Sequence, residues 1–132
     1  MYYGALEAGG TKMVCAIGDA DKNIIDRISI PTGTPDQSVP AMIDYFKKYD
    51  ISALGIGTFG PADINPNSPT YGSIMRSPKK DWEGFSLYKA FTDALGCLVV
   101  VDTDVNAAAW GEYLYGALKG LNSGMYLTVG TG

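Results

Sequence analysis

Two short segments hold the residues whose types and spacing could do chemistry. The first is Asp102-Thr103-Asp104-Val105-Asn106-Ala107-Ala108-Ala109-Trp110-Gly111-Glu112, which follows the apolar run Leu98-Val99-Val100-Val101 and opens a small-residue helix. That order puts the Asp104 carboxylate at the carboxyl end of a strand, on the rim of a sheet where ligands bind. The second is Glu7-Ala8-Gly9-Gly10-Thr11-Lys12, a turn between two apolar strands, and a similar turn, Gly130-Thr131-Gly132, closes the sequence. Glycine pairs admit positive φ and let a ligand approach the backbone, whose N–H groups then form an anion-binding concavity. A carboxylate and two Gly-Thr turns are the parts needed to move a phosphoryl group from a nucleotide to a hydroxyl.

Each segment has a plainer reading. Asp is among the best helix N-caps, and Asp102 and Thr103 compete with Asp104 for that position. Asn106 could bond a substrate or only fix the turn. Gly9-Gly10 could be an ordinary hairpin turn. It is neither a Walker A loop nor a Rossmann fingerprint, because the spacing differs and a strand rather than a helix follows.

Composition narrows the chemistry. The 132 residues contain no histidine, so triads and metal sites built on imidazole are excluded and a general base must be Asp or Glu, or less readily Lys or Tyr. Net charge is -4 with no Lys/Arg cluster, which argues against a nucleic-acid surface. No apolar run reaches membrane-spanning length and no signal peptide is visible, so a cytoplasmic protein is expected. The two cysteines, Cys15 and Cys97, lie in apolar strand-like surroundings and read as buried, unpaired side chains.

The elements that must position these residues follow from periodicity. Tyr2 to Leu6, Met13 to Ile17 and Asn23 to Ile30 read as a three-strand meander. Asp36 to Tyr49 reads as a helix with Asp36 as N-cap, since Val39, Met42, Ile43 and Phe46 recur at helical spacing. Ala53 to Phe59 is a short buried strand. Gly60 to Gly84 is a long Pro/Asn/Ser-rich loop whose Ile64, Tyr71, Ile74, Met75 and Trp82 argue against disorder. A helix over Phe85 to Leu95, a strand over Leu98 to Val101, a helix over Val105 to Leu118 and a strand beginning over Met125 to Val129 complete the pattern. The order β-β-β-α-β-α-β-α-β predicts an α/β chain with a mixed sheet flanked by helices.

Taken as a set, the three motifs resemble the ROK family of repressors, uncharacterised reading frames and sugar kinases. Glu7 to Lys12 looks like its first phosphate motif, Thr103-Asp104-Val105-Asn106-Ala107-Ala108 like its Asn-Asp-Ala/Val-Asn-Ala motif, and Val129 to Gly132 like the start of its second phosphate motif. The resemblance implies the actin-like, ribonuclease-H-like ATPase fold, with residues 1–132 as the N-terminal lobe and a second lobe absent. It implies Asp104 as catalytic base, with Gly9, Gly10, Thr11, Lys12, Gly130, Thr131 and Gly132 around the phosphates of ATP. Glu7, where sugar kinases more often carry Asp, would help position Mg²⁺ through water.

Within the family the bacterial fructokinase branch is the best match. Gly60-Pro61-Ala62-Asp63-Ile64-Asn65-Pro66 and Ser68-Pro69-Thr70-Tyr71-Gly72 resemble its characteristic loop, and Lys79 stands where glucose-type members carry Asn. A hexose, fructose first, is therefore the implied substrate, with Asn106, Lys79, Trp82, Gly60 and Pro61 toward the sugar. Phe85 is a further pocket candidate, with core packing as its plainer role. The family also implies a structural Zn²⁺ in the second lobe and a homodimer of the complete enzyme. Two competing expectations are a non-catalytic half-domain and a sugar-sensing regulator. The regulator is disfavoured because a strand beginning at Tyr2 leaves no room for a helix-turn-helix ahead of it.

Overall fold

The computed structural model describes residues 1–129, so Gly130, Thr131 and Gly132 lie outside the described residues. The chain forms β1 (Tyr2–Ala8), β2 (Lys12–Asp19), β3 (Ile24–Pro31), α1 (Pro35–Lys47), β4 (Ile51–Thr58), α2 (Leu87–Leu95), β5 (Leu98–Thr103) and α3 (Asp104–Tyr115). The strands make one mixed sheet in the order β3-β2-β1-β4-β5. The β3-β2-β1 meander is antiparallel, while β1-β4 and β4-β5 are parallel, each reached through a helical crossover.

Alternation decides which face is buried. Leu6, Ala8, Met13, Cys15, Ile17, Leu54, Ile56, Val99 and Val101 project to one side and meet Val39, Met42 and Phe46 of α1 and Leu87 and Phe91 of α2. Phe46 and Phe91 pack edge to face with ring centroids 6.2 Å apart, and each fully buried ring stabilises the fold by about 2–3 kcal/mol. The opposite face carries small residues, Ala5, Gly55 and Gly57 among them, and α3 only partly covers it. No residue of α3 is buried, and Leu98 and Trp110 remain 67% and 61% exposed.

The helix ends show which caps win. Thr34, not Asp36, is the N-cap of α1: its N–H donates to Oε1 of Gln37 at 3.1 Å and its carbonyl accepts from the Gln37 N–H at 3.1 Å. Helix α2 starts at Leu87, two residues later than the periodicity predicts, because Ser86 takes the cap by accepting from the Lys89 N–H at 3.0 Å. It stops at Gly96, which adopts φ +65°. Helix α3 ends at Tyr115, short of the expected Leu118. The strand expected over Met125 to Val129 is not formed: these residues are irregular, and Met125, Leu127 and Val129 are exposed. A strand exists only where a ladder partner does, and among the described residues none lies beside this run.

The long stretch after β4 is folded, as its aromatic residues predict. Isolated bridges join Ala62 to Ile74 and Ser73 to Ser86, and a single 3-10 turn spans Lys80–Trp82. The Asp63 carboxylate accepts from the hydroxyls of Ser68 and Thr70 and from the N–H of Asn65. Tyr71 then pins the loop to the sheet edge. Its hydroxyl accepts from the Val101 N–H at 2.7 Å and donates to the Val101 carbonyl at 3.1 Å.

Candidate active site

Three carboxylates gather on the open face of the sheet. Register pairs Glu7 with Gly57 and Gly57 with Asp102, so the two acids stand in one row across β1, β4 and β5 with a glycine between them. At ordinary strand spacing their Cα atoms are roughly 10 Å apart. The first turn of α3 sits over Gly57. A Cβ built there would lie 3.0 Å from the Ala107 Cβ and 3.4 Å from the Asp104 Cα. The missing side chain therefore sets how close α3 approaches β4. Glu7, Asp102, Asp104, Ala107, Ala108 and Trp110 line a cleft of about 700 Å³ at this point.

The capping question at Asp104 is resolved by geometry. Thr103 is the N-cap, its Oγ1 accepting from the Asn106 N–H at 3.2 Å. Asp104 is the first helical residue, half-buried, and among the described residues its carboxylate accepts only from the N–H of the adjoining Val105 at 2.9 Å. Asp102 is more committed, since its Oδ1 accepts from the Thr103 N–H at 2.7 Å and from the Asn106 side-chain amide at 2.8 Å. Asn106 is thus bonded to a neighbouring acid, and Asp104 keeps lone pairs free toward the cleft.

The Gly-Gly turn joins β1 to β2, two residues beyond Glu7 of the cleft wall, and its two glycines have different reasons. Gly9 donates to the Lys12 carbonyl at 3.0 Å, and a Cβ on it would stand 2.6 Å from that oxygen, so glycine is needed to close the turn. Gly10 faces open space except for the Lys79 side chain, whose Cε lies 3.4 Å from where a Cβ would be. The Thr32 hydroxyl bonds the Gly9 carbonyl at 2.8 Å and the Thr32 N–H bonds the Thr11 carbonyl at 3.0 Å, which holds the turn from outside. Among the described residues the N–H groups of Gly10 and Thr11 find no acceptor. Two such free N–H donors beside an exposed threonine hydroxyl fit the oxygens of a phosphate chain.

The remaining expected residues sort by position. Gly60 and Pro61 follow β4 after Phe59, and the Pro61 carbonyl accepts from the Met75 N–H at 2.8 Å. Trp82 is 1% exposed and its indole Nε1 donates to the Gly33 carbonyl at 2.9 Å, so it braces the turn that carries Lys79. Phe85 packs against it with centroids 5.6 Å apart. Lys12 is exposed at the start of β2. Glu7 is exposed on the open face, and among the described residues no group of three His, Cys, Asp or Glu side chains converges as a metal cage. Oxygen donors on a wet cleft wall do suit Mg²⁺, which keeps most of its water shell.

Three residues that sequence reasoning did not assign matter here. Asp102 shares the cleft, with the Asp102/Asn106 spacing of four as its signal. Gly57 is signalled by a glycine inside a strand. Tyr71, distant in sequence from Val101, has no sequence signal.

Comparison with known proteins identifies the family and the fold. The ROK family profile matches residues 3–132. The chain is 44% identical to a fructokinase of Pediococcus pentosaceus over 132 residues, covering 100% of this chain and 46% of that protein. It is 45% identical to a fructokinase of Lactococcus lactis subsp. cremoris, covering 100% and 44%. Among solved structures, a ROK family glucokinase from Streptomyces griseus, in complex with glucose and AMPPNP, superposes with a TM-score of 0.75 at 30% identity, covering 91% of this chain and 38% of that one. The chain therefore spans less than half the length of the relatives it matches. Its five-stranded mixed sheet is that of the actin-like ATPase fold, and the chain belongs to the ROK family.

Proposed function

We propose that this chain is the N-terminal lobe of an ATP-dependent hexose kinase, with fructose as the sugar and fructose 6-phosphate as the product. The observation that carries the reading is Asp104: a half-buried carboxylate released from capping by Thr103, on a cleft whose wall includes Glu7, with the Gly10 and Thr11 N–H groups a few residues further along without an acceptor among the described residues. The two fructokinase relatives support the substrate class.

In this reading Asp104 orients the sugar hydroxyl and takes its proton as the new O–P bond forms and the bond to ADP breaks. The Gly10 and Thr11 N–H groups hold phosphate oxygens of ATP, and the Thr11 hydroxyl adds a further donor. Asp102 and Asn106, bonded to each other, keep the first turn of α3 in place. Glu7 faces the cleft where a hydrated Mg²⁺ would neutralise phosphate charge. Catalysis is then positioning plus electrostatic stabilisation between two lobes. The complete enzyme is a cytoplasmic homodimer in this proposal. No helix among the described residues is long and apolar enough to cross a membrane.

The test is Asp104→Asn in a protein of full family length carrying these residues. Turnover is expected to fall by roughly 10²–10⁴ while sugar binding persists. Near-normal turnover removes Asp104 from the mechanism.

A further inference from the structure

We propose that Lys79 is a phosphate-facing residue, placing its ammonium over the Gly10-Thr11 turn against the phosphate chain of the nucleotide, and is not a ligand of the sugar hydroxyls. The inference rests on reading that turn as the phosphate site.

Lys79 reaches the turn from a distant part of the chain, and its backbone is held there. Its N–H donates to the Ser77 hydroxyl at 3.2 Å, and its carbonyl accepts from the Trp82 N–H at 3.0 Å. Ser77 and Trp82 are both buried, and Trp82 is tied to Gly33 through its indole. The side chain then extends outward, with Cε 3.4 Å from the Cβ position of Gly10. The next atom along the side chain is Nζ. Gly10 and Thr11 supply the two unpaired N–H groups, so a cation and two neutral donors share one small patch.

The charge is available. The two ion pairs among the described residues are Lys80–Glu83 and Lys89–Asp93, and neither uses Lys79. Asp81 lines the same small cleft as Lys79 without forming an ion pair with it. Lys12 begins β2 on the sheet face opposite Met13, the open face that also carries Glu7, and Lys79 comes to the turn from the loop after β4. An unpaired ammonium beside backbone N–H donors suits an oxyanion carrying several negative charges. A sugar hydroxyl offers it no charge, and lysine lacks the acceptor that a hydroxyl proton needs.

The test titrates the chain with sodium tripolyphosphate and, separately, with D-fructose, following amide resonances and calorimetric affinity. Lys79→Met, Lys79→Arg and Lys80→Met are compared with the parent. Lys80→Met removes the same charge from the neighbouring position. Tripolyphosphate is expected to move the Gly10, Thr11 and Lys79 amides. Its affinity should fall about tenfold in Lys79→Met, stay within about twofold in Lys79→Arg, and be little changed in Lys80→Met. Added salt should narrow the difference between parent and Lys79→Met.

Equal affinity in parent and Lys79→Met overturns the proposal. If Gly10 and Thr11 still respond in that case, the phosphate turn survives and only the lysine assignment fails. If neither amide responds in the parent, the turn reading fails and takes the proposal with it. Fructose-dependent movement of Lys79 without a tripolyphosphate response also overturns it.

Discussion

Replacing Tyr71 by phenylalanine removes one oxygen atom and tests how the loop after β4 is attached to the sheet. The ring stays, as does its contact with Tyr88 at a centroid distance of 5.0 Å, so packing is nearly conserved. The hydroxyl is lost, and with it the bonds to the Val101 N–H at 2.7 Å and the Val101 carbonyl at 3.1 Å. Strand β5 is a sheet edge, so no neighbouring strand can take over these two groups. Val101 is 3% exposed, which keeps water from replacing both bonds fully. A buried backbone group without a partner costs about 1–3 kcal/mol, and partial hydration of this pair brings the expected total to about 2 kcal/mol. With a urea slope near 1.5 kcal/mol/M, the unfolding midpoint should fall by roughly 1.3 M at unchanged slope. A midpoint within about 0.2 M of the parent would refute the argument, because it would mean that the loop is not anchored through this hydroxyl.

Gly57→Ala should displace the first turn of α3 by a few tenths of an ångström at a cost of about 1 kcal/mol, since α3 has no buried residue to resist. Amide shifts confined to residues 103–108 would show it, and shifts concentrated in β1 would count against it. The same variant at full family length should lose about tenfold or more in kcat, read by steady-state assay. Burial pushes the Cys15 thiol up to about 12, so a thiol reagent at about pH 8 should label Cys97 and leave Cys15 untouched until the chain unfolds. Labelling of both at equal rates in the folded state would contradict the core assignment. The Ser68 and Thr70 hydroxyls hold the Asp63 carboxyl below its ordinary value of 3.8. A carboxyl lowered by folding lends stability above its unfolded pKa and loses it as pH falls through the folded value. Stability should therefore drop below about pH 4, less steeply in Asp63→Asn, with Asp19 and Asp26 supplying the remaining slope. Parallel profiles in acid denaturation would dismiss the Asp63 contribution.

How much was legible in the sequence depended on the range of the interaction. The meander and β5 follow from alternation and β-branched runs, which are local signals, and α1 follows from the spacing of Val39, Met42 and Phe46. Caps were harder, because Thr34 and Asp36, or Thr103 and Asp104, are nearly equivalent by residue type and only backbone direction separates them. The run Met125 to Val129 has strand composition, but pairing is a property of two segments and one segment cannot reveal it. At the site, the Asp104 and Gly9-Gly10 motifs are contiguous and readable. Lys79 beside Gly10 and Tyr71 beside Val101 depend on how a loop of more than twenty residues folds back, which no periodicity encodes.

The position of β1 at the middle of the sheet bears on how the chain folds. Its antiparallel partner arrives almost at once, with Ala8 opposite Met13, but its parallel partner comes late, with Leu6 opposite Ile56. Closing the first contact orders only a short turn, whereas the second waits for β2, β3 and α1 to be made. The meander should therefore form early and β4 dock as a slower event that draws α1 onto the core. Until then one side of β1 is an unpaired edge carrying the future site residue Glu7. A chain emerging residue by residue leaves that edge open to mispairing while about forty residues are added before β4 arrives.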